Sequence, residues 1–227
     1  MKYIVFGLGN FGKALGIRLT ELGHEVIGVD SDIAKVEKFK TKITHTVCMN
    51  CTDKDAVSAL PLKDCDGAIV AIGEDEAASL LTTALLKQLG VERIIGRVVS
   101  ELQQVVLEAM DIAEYIRPET ESAQRLAMRL DNVTIIDSFK ISDKYSIVEA
   151  IVPDRYIGMT LEEANLTNDY KIIVLTTIKS VNKNEGGTIK KYSEVTGIAK
   201  STTKLAEGDI LVLFGELQDI NGLIKFN

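Results

Sequence analysis

A short run of glycines limits the folds open to this chain more than any other feature. Gly7, Gly9 and Gly12 follow an apolar segment, Tyr3–Phe6, that predicts a β-strand, and they open a predicted helix, Asn10–Leu22. In such a turn the first glycine permits the tight bend, the second lets phosphates approach the backbone, and the third lets helix and strand pack closely. Free N–H groups at the start of the helix attract anions. The run therefore predicts a Rossmann-type domain that holds an adenine nucleotide.

Strand and helix patterns alternate from the start of the chain to about residue 131. One predicted helix, Glu76–Leu89, has apolar residues at helical spacing and ends at Gly90. Six strands that alternate with helices predict an α/β fold, a doubly wound parallel sheet of the Rossmann type. The predicted strands are Tyr3–Phe6, Glu25–Val29, Thr44–Met49, Gly67–Ile72, Arg93–Val98 and Ala113–Ile116.

The rhythm changes after Asp131. One clear helix begins at Thr160, where Glu163 completes a capping box. The pattern predicts a small α+β domain, so that the chain divides into a nucleotide-binding domain at 1–131, a linker at 132–142 and a second domain at 143–227. The predicted strands of this part are Thr134–Phe139, Ser146–Val152, Ile172–Ile178 and Ile210–Phe214.

Charge and hydropathy exclude several classes of partner. The net charge of −7 argues against nucleic acid as the main partner, because phosphate binding needs a basic surface. No apolar run approaches the roughly 18 residues of a membrane span, and no signal segment precedes the first strand. We therefore expect a cytoplasmic protein. His45, Cys48 and Cys51 recur every third residue, but side chains three apart on a strand point to opposite faces, so buried thiols are expected rather than a metal site.

A carboxylate at the end of the second strand completes the nucleotide fingerprint. Asp30 lies about 20 residues after the glycine run, where it can accept hydrogen bonds from both ribose hydroxyls and would repel a 2′-phosphate, which disfavours NADP. The ends of the third and fourth strands border the same site. Arg97 ends the fifth strand, and two interpretations stay open, a phosphate ligand or an exposed residue that serves solubility. We expect Asn50 and Cys51 beside the adenine, and Ala71, Ile72 and Gly73 near the ribose and phosphates. Asn10, Phe11 and Ser31 are further expected binding residues.

A catalyst is not apparent. A dehydrogenase needs an acid–base group beside the nicotinamide, but His24 and His45 both precede strands and so lie at the wrong edge of the sheet. The sequence has no Tyr-x-x-x-Lys pair, no Gly-x-Ser-x-Gly elbow and no Walker-type loop. A Rossmann domain without a catalyst, followed by a domain too small for a typical substrate half, favours a sensor rather than an enzyme.

Six motifs occur in order along the chain: Phe6–Gly12, Gly23–Asp30, Val70–Gly73, Arg117–Glu119, Tyr145–Glu149 and Glu207–Gly215. Together they resemble the RCK, or KTN, family, the cytosolic regulatory subunits of Trk and Ktr potassium uptake systems. The resemblance covers nearly the whole chain and implies an oligomeric ring, docked under a potassium-conducting membrane subunit, that changes conformation with bound nucleotide. Ligands of the family are ATP, ADP, NAD and NADH.

The resemblance also carries residue roles, with two departures. The glutamate that matches Glu119 can help to hold a cation at the nucleotide phosphates of a neighbouring subunit, and the alternative is a helix charge at the N-terminus. Some relatives have arginine where this chain has Asn10, so a switch between ATP and ADP is less secure here. Some relatives bind cyclic di-AMP through an arginine in the segment that matches Asn165–Tyr170, where this chain has Thr167, and that ligand is not carried over.

The apolar helical stretch from Leu102 to Leu130 leaves two interpretations open. Its side chains pack inside the domain, or they also cross over to a partner subunit, as the resemblance implies. They are Val105, Val106, Leu107, Met110, Leu126, Met128 and Leu130.

The leading hypothesis is thus a nucleotide-sensing regulatory subunit. The rivals are a small NAD-dependent oxidoreductase and a redox-sensing repressor, the latter without an apparent DNA-binding helix module.

Overall fold

A computed structural model gives the structure of residues 1–185 and 188–224. The chain forms two compact units, Met1–Glu121 and Ser122–Asn227. No helix in the described ranges is long and apolar enough to cross a membrane.

The first unit is built on a six-stranded parallel sheet, which confirms the predicted fold. Its strand order, β3-β2-β1-β4-β5-β6, is that of a dinucleotide-binding Rossmann sheet. The order reverses between β1 and β4, and this switch point is where ligands bind in such sheets. The strands are β1 (Lys2–Phe6), β2 (Glu25–Asp30), β3 (His45–Cys48), β4 (Gly67–Val70), β5 (Ile94–Arg97) and β6 (Glu114–Ile116).

Five helices connect these strands, and polar side chains cap four of them. Asp32, Asp53, Asp75 and Ser100 accept hydrogen bonds from the first turns of α2 to α5. Asp53 caps α3 by accepting hydrogen bonds from two backbone N–H groups, those of Asp55 and Ala56. The helices are α1 (Asn10–Glu21), α2 (Ile33–Phe39), α3 (Lys54–Ser58), α4 (Glu76–Gln88) and α5 (Glu101–Ala109).

The central strands of this sheet are buried on both faces. Ile4, Val5 and Phe6 are fully buried, and all four residues of β4 are buried. A sheet that helices cover on both sides needs apolar residues at consecutive positions, which is the uncharged run that β4 presents in the sequence. The faces are thus filled, and only the edges of the sheet are free to bind a ligand.

A sixth helix, α6 (Pro118–Asp131), begins in the first unit and ends in the second. None of its residues is buried, and Leu126 and Leu130 are exposed. On α5, in contrast, Leu107 belongs to the core whereas Leu102 and Val105 are exposed. The apolar stretch 102–130 therefore contributes Leu107 to the intradomain core and leaves much of its remaining apolar surface open.

The second unit is an antiparallel sheet with helices, which confirms the predicted α+β domain. Thr160 and Glu163 form the predicted capping box at the start of α7. The sheet order is β10-β9-β11-β8-β7, and the core lies between the sheet and the helices. Its elements are β7 (Ile135–Lys140), β8 (Tyr145–Ile151), α7 (Leu161–Ala164), α8 (Leu166–Tyr170), β9 (Ile173–Glu185), β10 (Thr188–Val195), β11 (Ile210–Glu216) and α9 (Leu217–Ile224).

The division between the units differs from the sequence prediction. The first unit ends at Glu121 rather than at residue 131. The segment 132–142, predicted as a linker, contains β7, whose Ile135 is buried and pairs with Ala150 of β8. The segment joins the sheet because burial of the Ile135 side chain against the core is more favourable than its exposure to water.

Candidate functional site

A cavity of about 310 Å³ opens at the carboxyl edge of the parallel sheet. It lies where the order of the strands reverses, and the ends of β1, β2, β4 and β5 contribute to it. Among the predicted site residues, Phe11, Gly12 and Glu119 do not line it, and the others do. The lining residues are Gly7, Gly9, Asn10, Asp30, Ser31, Lys35, Asn50, Cys51, Thr52, Ala71, Ile72, Gly73, Glu74, Asp75, Ala78 and Arg97.

The three glycines of the first turn have different structural reasons. Gly7 has φ of +95°, a left-handed conformation that favours glycine. A Cβ on Gly12 would lie 1.8 Å from the carbonyl oxygen of Gly7, so this position accepts no side chain. A Cβ on Gly9 would meet nothing within 4 Å, and Gly9 has an ordinary φ of −62°. The protein itself therefore does not require glycine at position 9, and its bare backbone leaves space in the cavity.

The start of α1 faces this cavity without a side-chain cap. Its N-cap residue is Gly9, which has no side-chain hydrogen bond to offer, and the first turn has no acidic residue. The first intrahelical bond joins the Lys13 N–H to the Gly9 carbonyl at 3.0 Å. Free N–H groups and the helix dipole together favour an anion at this point. In this respect α1 differs from α2 to α5, each of which has a side-chain cap at its start.

Asp30, the last residue of β2, binds the backbone of the glycine turn. Its side chain is 7% exposed, and its two carboxylate oxygens accept hydrogen bonds from the backbone N–H groups of Leu8 at 2.7 Å and Asp32 at 2.9 Å. The sequence predicted only the ribose contact and missed this structural role. A carboxylate has about four lone-pair positions, so two remain available for ribose hydroxyls. Asp30 therefore both holds the glycine turn against β2 and presents acceptors to the cavity.

The segment after β3 forms a polar wall. The Asn50 side-chain oxygen accepts hydrogen bonds from the backbone N–H of Thr52 at 3.0 Å and from its hydroxyl at 2.8 Å. Cys51 beside it is buried, and burial, together with the Asp30 charge, raises the pKa of its thiol to about 11. The thiol is neutral at physiological pH, so Cys51 offers an apolar surface rather than a nucleophile.

Arg97 reaches the cavity from the end of β5. Its Nη1 donates to the Ala71 carbonyl at 3.2 Å, and its Nη2 donates to the Glu119 carboxylate. Burial alone would raise the pKa of Glu119, but the hydrogen bond from its own backbone N–H and the Arg97 guanidinium outweigh burial and lower that pKa. The Arg97 side chain is 15% exposed, which does not fit the alternative of a solvent-exposed arginine.

Five lining residues escaped the sequence analysis. Each lies within five positions of a predicted site residue, so proximity along the chain was the available signal. Glu74 and Asp75 add two acidic residues to the lining, and the Nζ of Lys35 lies 3.8 Å from an Asp30 oxygen. The five are Lys35, Thr52, Glu74, Asp75 and Ala78.

The histidines lie outside the cavity. His24 packs edge-to-face against Tyr3, with ring centres 5.5 Å apart, and His45 is the first residue of β3. The described part of the chain contains no cluster of three or more histidine, cysteine or acidic residues that could hold a metal ion.

These features define a class: a Rossmann unit whose first helix has no side-chain cap at its start, followed along the chain by a small α+β unit. The family follows from comparison with known proteins. Residues 3–118 match the TrkA-N domain family, and the chain belongs to that family. It is 31% identical to Ktr system potassium uptake protein C of Bacillus subtilis (strain 168), over 99% of this chain and 96% of that protein. It is 29% identical to Ktr system potassium uptake protein A of the same organism, over 96% of this chain and 93% of that protein.

Solved structures share the fold. The GsuK channel bound to NAD aligns with a TM-score of 0.63 and 15% identity, over 98% of this chain and 38% of that one. The chain thus spans less than half of that channel protein. The AMP-bound Kef C-terminal domain of Shewanella denitrificans aligns with a TM-score of 0.50 and 20% identity, over 57% of this chain and 81% of that one.

Proposed function

We propose that this chain is a nucleotide-binding regulatory subunit of a Trk/Ktr-type potassium uptake system. It controls potassium flux through a membrane partner by a conformational change that depends on the bound ligand. Relatives that match almost end to end are potassium uptake proteins of Ktr systems, which supports the assignment to this type of system. The protein would act in the cytoplasm and is not an enzyme under this proposal.

The observation that carries the proposal is the open helix end. The uncapped N-terminus of α1, the bare backbone of Gly9 and the carboxylate of Asp30 surround one cavity. The diphosphate of an adenine nucleotide fits the helix end, and its ribose fits the carboxylate. The ligand is ATP, ADP, NAD or NADH, with a cation at the phosphates as a further element.

The regulatory mechanism requires a difference in affinity. A nucleotide shifts the protein between two conformations only by as much as it prefers one of them. Membrane control further requires a partner, and we propose a homo-oligomer, built from dimers into a ring. The exposed Leu102, Val105, Leu126 and Leu130 of α5 and α6 are apolar residues that a second copy would cover.

The first test is calorimetric titration of the nucleotide-free chain with ATP, ADP, NAD and NADH, each with and without Mg²⁺. Tight binding of at least one is expected, and the ranking identifies the signal. Absence of binding by all four would contradict the proposal. Turnover of NADH with a panel of carbonyl substrates would instead favour the oxidoreductase.

The second test measures potassium flux. The chain is reconstituted with a membrane Ktr subunit in liposomes, and flux is recorded with the ligands that bind. We expect two bound nucleotides to give different fluxes. Identical flux with and without the chain would contradict a regulatory role while leaving nucleotide binding intact.

A further inference from the structure

Arg97 is the cation that the cavity offers to a phosphate group. Of the described lining residues, Lys35 and Arg97 are cationic, and Lys35 lies beside the Asp30 carboxylate. The guanidinium carbon of Arg97 lies 5.9 Å from the ring centre of Phe11, which belongs to the first turn of α1. Arg97 therefore stands close to the helix end where phosphates are expected.

The guanidinium is already engaged within the chain. Nη2 donates to the Glu119 carboxylate, and Nη1 donates to the Ala71 carbonyl. Glu119 is not a lining residue, and its side chain is 59% exposed. The Arg97 Nε is buried and has no acceptor in the part of the chain that the structure describes. A buried donor without an acceptor costs free energy. The pair between Arg97 and Glu119 is therefore easier to break than one in which every guanidinium N–H has an acceptor.

A phosphate and the Glu119 carboxylate compete for the same donors. Both groups carry two or more negatively charged oxygens, and a guanidinium binds such groups through two parallel N–H donors. A nucleotide that uses Arg97 must therefore replace Glu119 or share the guanidinium with it. We propose that Glu119 is an intramolecular competitor of the nucleotide, and that its pair with Arg97 lowers the affinity of the cavity for nucleotide phosphates. This inference rests on the function proposed above and concerns the regulation of the same site.

The competitor role differs in sign from the role that the family resemblance implies. A glutamate that holds a cation at the phosphates strengthens nucleotide binding, so removal of its charge weakens binding. A glutamate that occupies the phosphate-binding arginine weakens binding, so removal of its charge strengthens it. The sign of the effect of Glu119→Gln therefore separates the two roles.

The test is calorimetric titration of the full nucleotide-free chain with ADP and with NAD, each with and without Mg²⁺. Glu119→Gln should raise the affinity about threefold to tenfold, and should do so without Mg²⁺. Glu121→Gln is the matched control, because Glu121 is the other acidic residue in the first turn of α6 and is exposed. The control should change the affinity by less than about twofold.

A double variant tests whether the gain passes through Arg97. In an Arg97→Met background, Glu119→Gln should change the affinity by less than about twofold, because the shared partner is gone. Arg97→Met alone should lower the affinity. The Glu119→Gln measurement decides the sign by itself, since an exposed side chain is altered and folding is not at risk.

The outcomes separate this inference from the proposed function. Nucleotide binding with unchanged or lower affinity in Glu119→Gln overturns the competitor role and leaves the function standing. A loss that occurs only with Mg²⁺ overturns it in favour of a cation ligand. If neither the wild type nor any variant binds nucleotide, the proposed function fails, and the competitor role fails with it.

Discussion

The two sheets of this protein use their strands in opposite ways. In the parallel sheet, Val5 and its neighbours on β1 are buried on both faces. In the antiparallel sheet, burial alternates along β8, where Ser146, Val148 and Ala150 face the core and the residues between them face outward. The outward face holds exposed apolar side chains, among them Phe139, Tyr145, Ile151 and Ile173.

This difference in burial determines which surfaces of each unit are left to contact a ligand or another protein. A sheet covered on both faces has only its edges left, and the edge at the carboxyl ends of the strands holds the cavity. A sheet covered on one face keeps the other for contacts. We therefore treat the first unit as the ligand-binding unit, and four predictions test the contrast.

The largest effect is expected from Gly12→Ala. The added Cβ would lie 1.8 Å from the Gly7 carbonyl oxygen, a backbone atom that cannot move without breaking the turn. We expect the free energy of unfolding to fall by at least about 3 kcal/mol, measured by denaturant titration. A variant as stable as the wild type would show that the turn does not fix the carboxyl edge of the sheet.

The next effect tests the one-sided burial of the antiparallel sheet. Leu213 is fully buried, so Leu213→Ala should lower the free energy of unfolding by about 2–5 kcal/mol. Leu175→Ala on the adjacent strand is the matched control, because that leucine is 39% exposed and should cost less than about 1 kcal/mol. Equal losses at the two positions would contradict the contrast between the faces.

A smaller effect is expected from Gly9→Ala, and it concerns binding alone. A Cβ at this position meets no protein atom within 4 Å, so stability should not change, whereas phosphates lose their close approach to the backbone. We expect nucleotide affinity to fall at least about tenfold, equivalent to about 1.4 kcal/mol. Calorimetry and thermal melting together measure the two quantities.

Gly67→Ala is the control for this prediction. It adds a Cβ with ordinary contacts of 3.5 Å to Tyr3, at the first residue of β4 and away from the carboxyl edge. Its affinity should stay at the wild-type value. A fall of the same size in both variants would mean that the loss at Gly9 does not report on the cavity.

The smallest effect is expected from a surface ion pair in the second unit. A hydrogen bond from Arg125 lowers the pKa of the Asp137 carboxyl. The pair therefore stabilises the fold above the unfolded pKa of Asp, about 4, and this contribution is lost as the pH falls through the lower pKa of the folded state. Asp137→Asn should be slightly less stable than the wild type near pH 7, with the difference vanishing in acid. Both side chains are exposed, so the change in the free energy of unfolding should be smaller than in the other variants. A stability difference between wild type and variant that grows as the pH falls would contradict this prediction.

The sequence predicted what depends on local pattern. The glycine turn and the Thr160–Glu163 capping box both depend on residues a few positions apart, and the structure has both of them. The strand predicted at Thr134–Phe139 is present as β7, but the sequence placed it in a linker, because its pairing with β8, a partner distant in the chain, follows no local pattern.

The candidate site was predictable in outline but not in its pairings. Parallel strands bring their carboxyl ends together, so Asp30, Ile72 and Arg97 could be expected at one edge. The bond between Arg97 and Glu119 spans 22 residues, and no spacing rule connects them. The bonds from Leu8 and Asp32 to the Asp30 carboxylate depend likewise on the exact course of the turn.

The most direct test of the central claim is hydrogen–deuterium exchange of the chain with and without a bound adenine nucleotide. The free helix end of α1 leaves the N–H groups of residues 10–12 without intrahelical partners, so a bound diphosphate should slow their exchange. We predict slower exchange at residues 7–12 and around Asp30. Unchanged exchange there, with protection confined to the antiparallel sheet, would contradict the account.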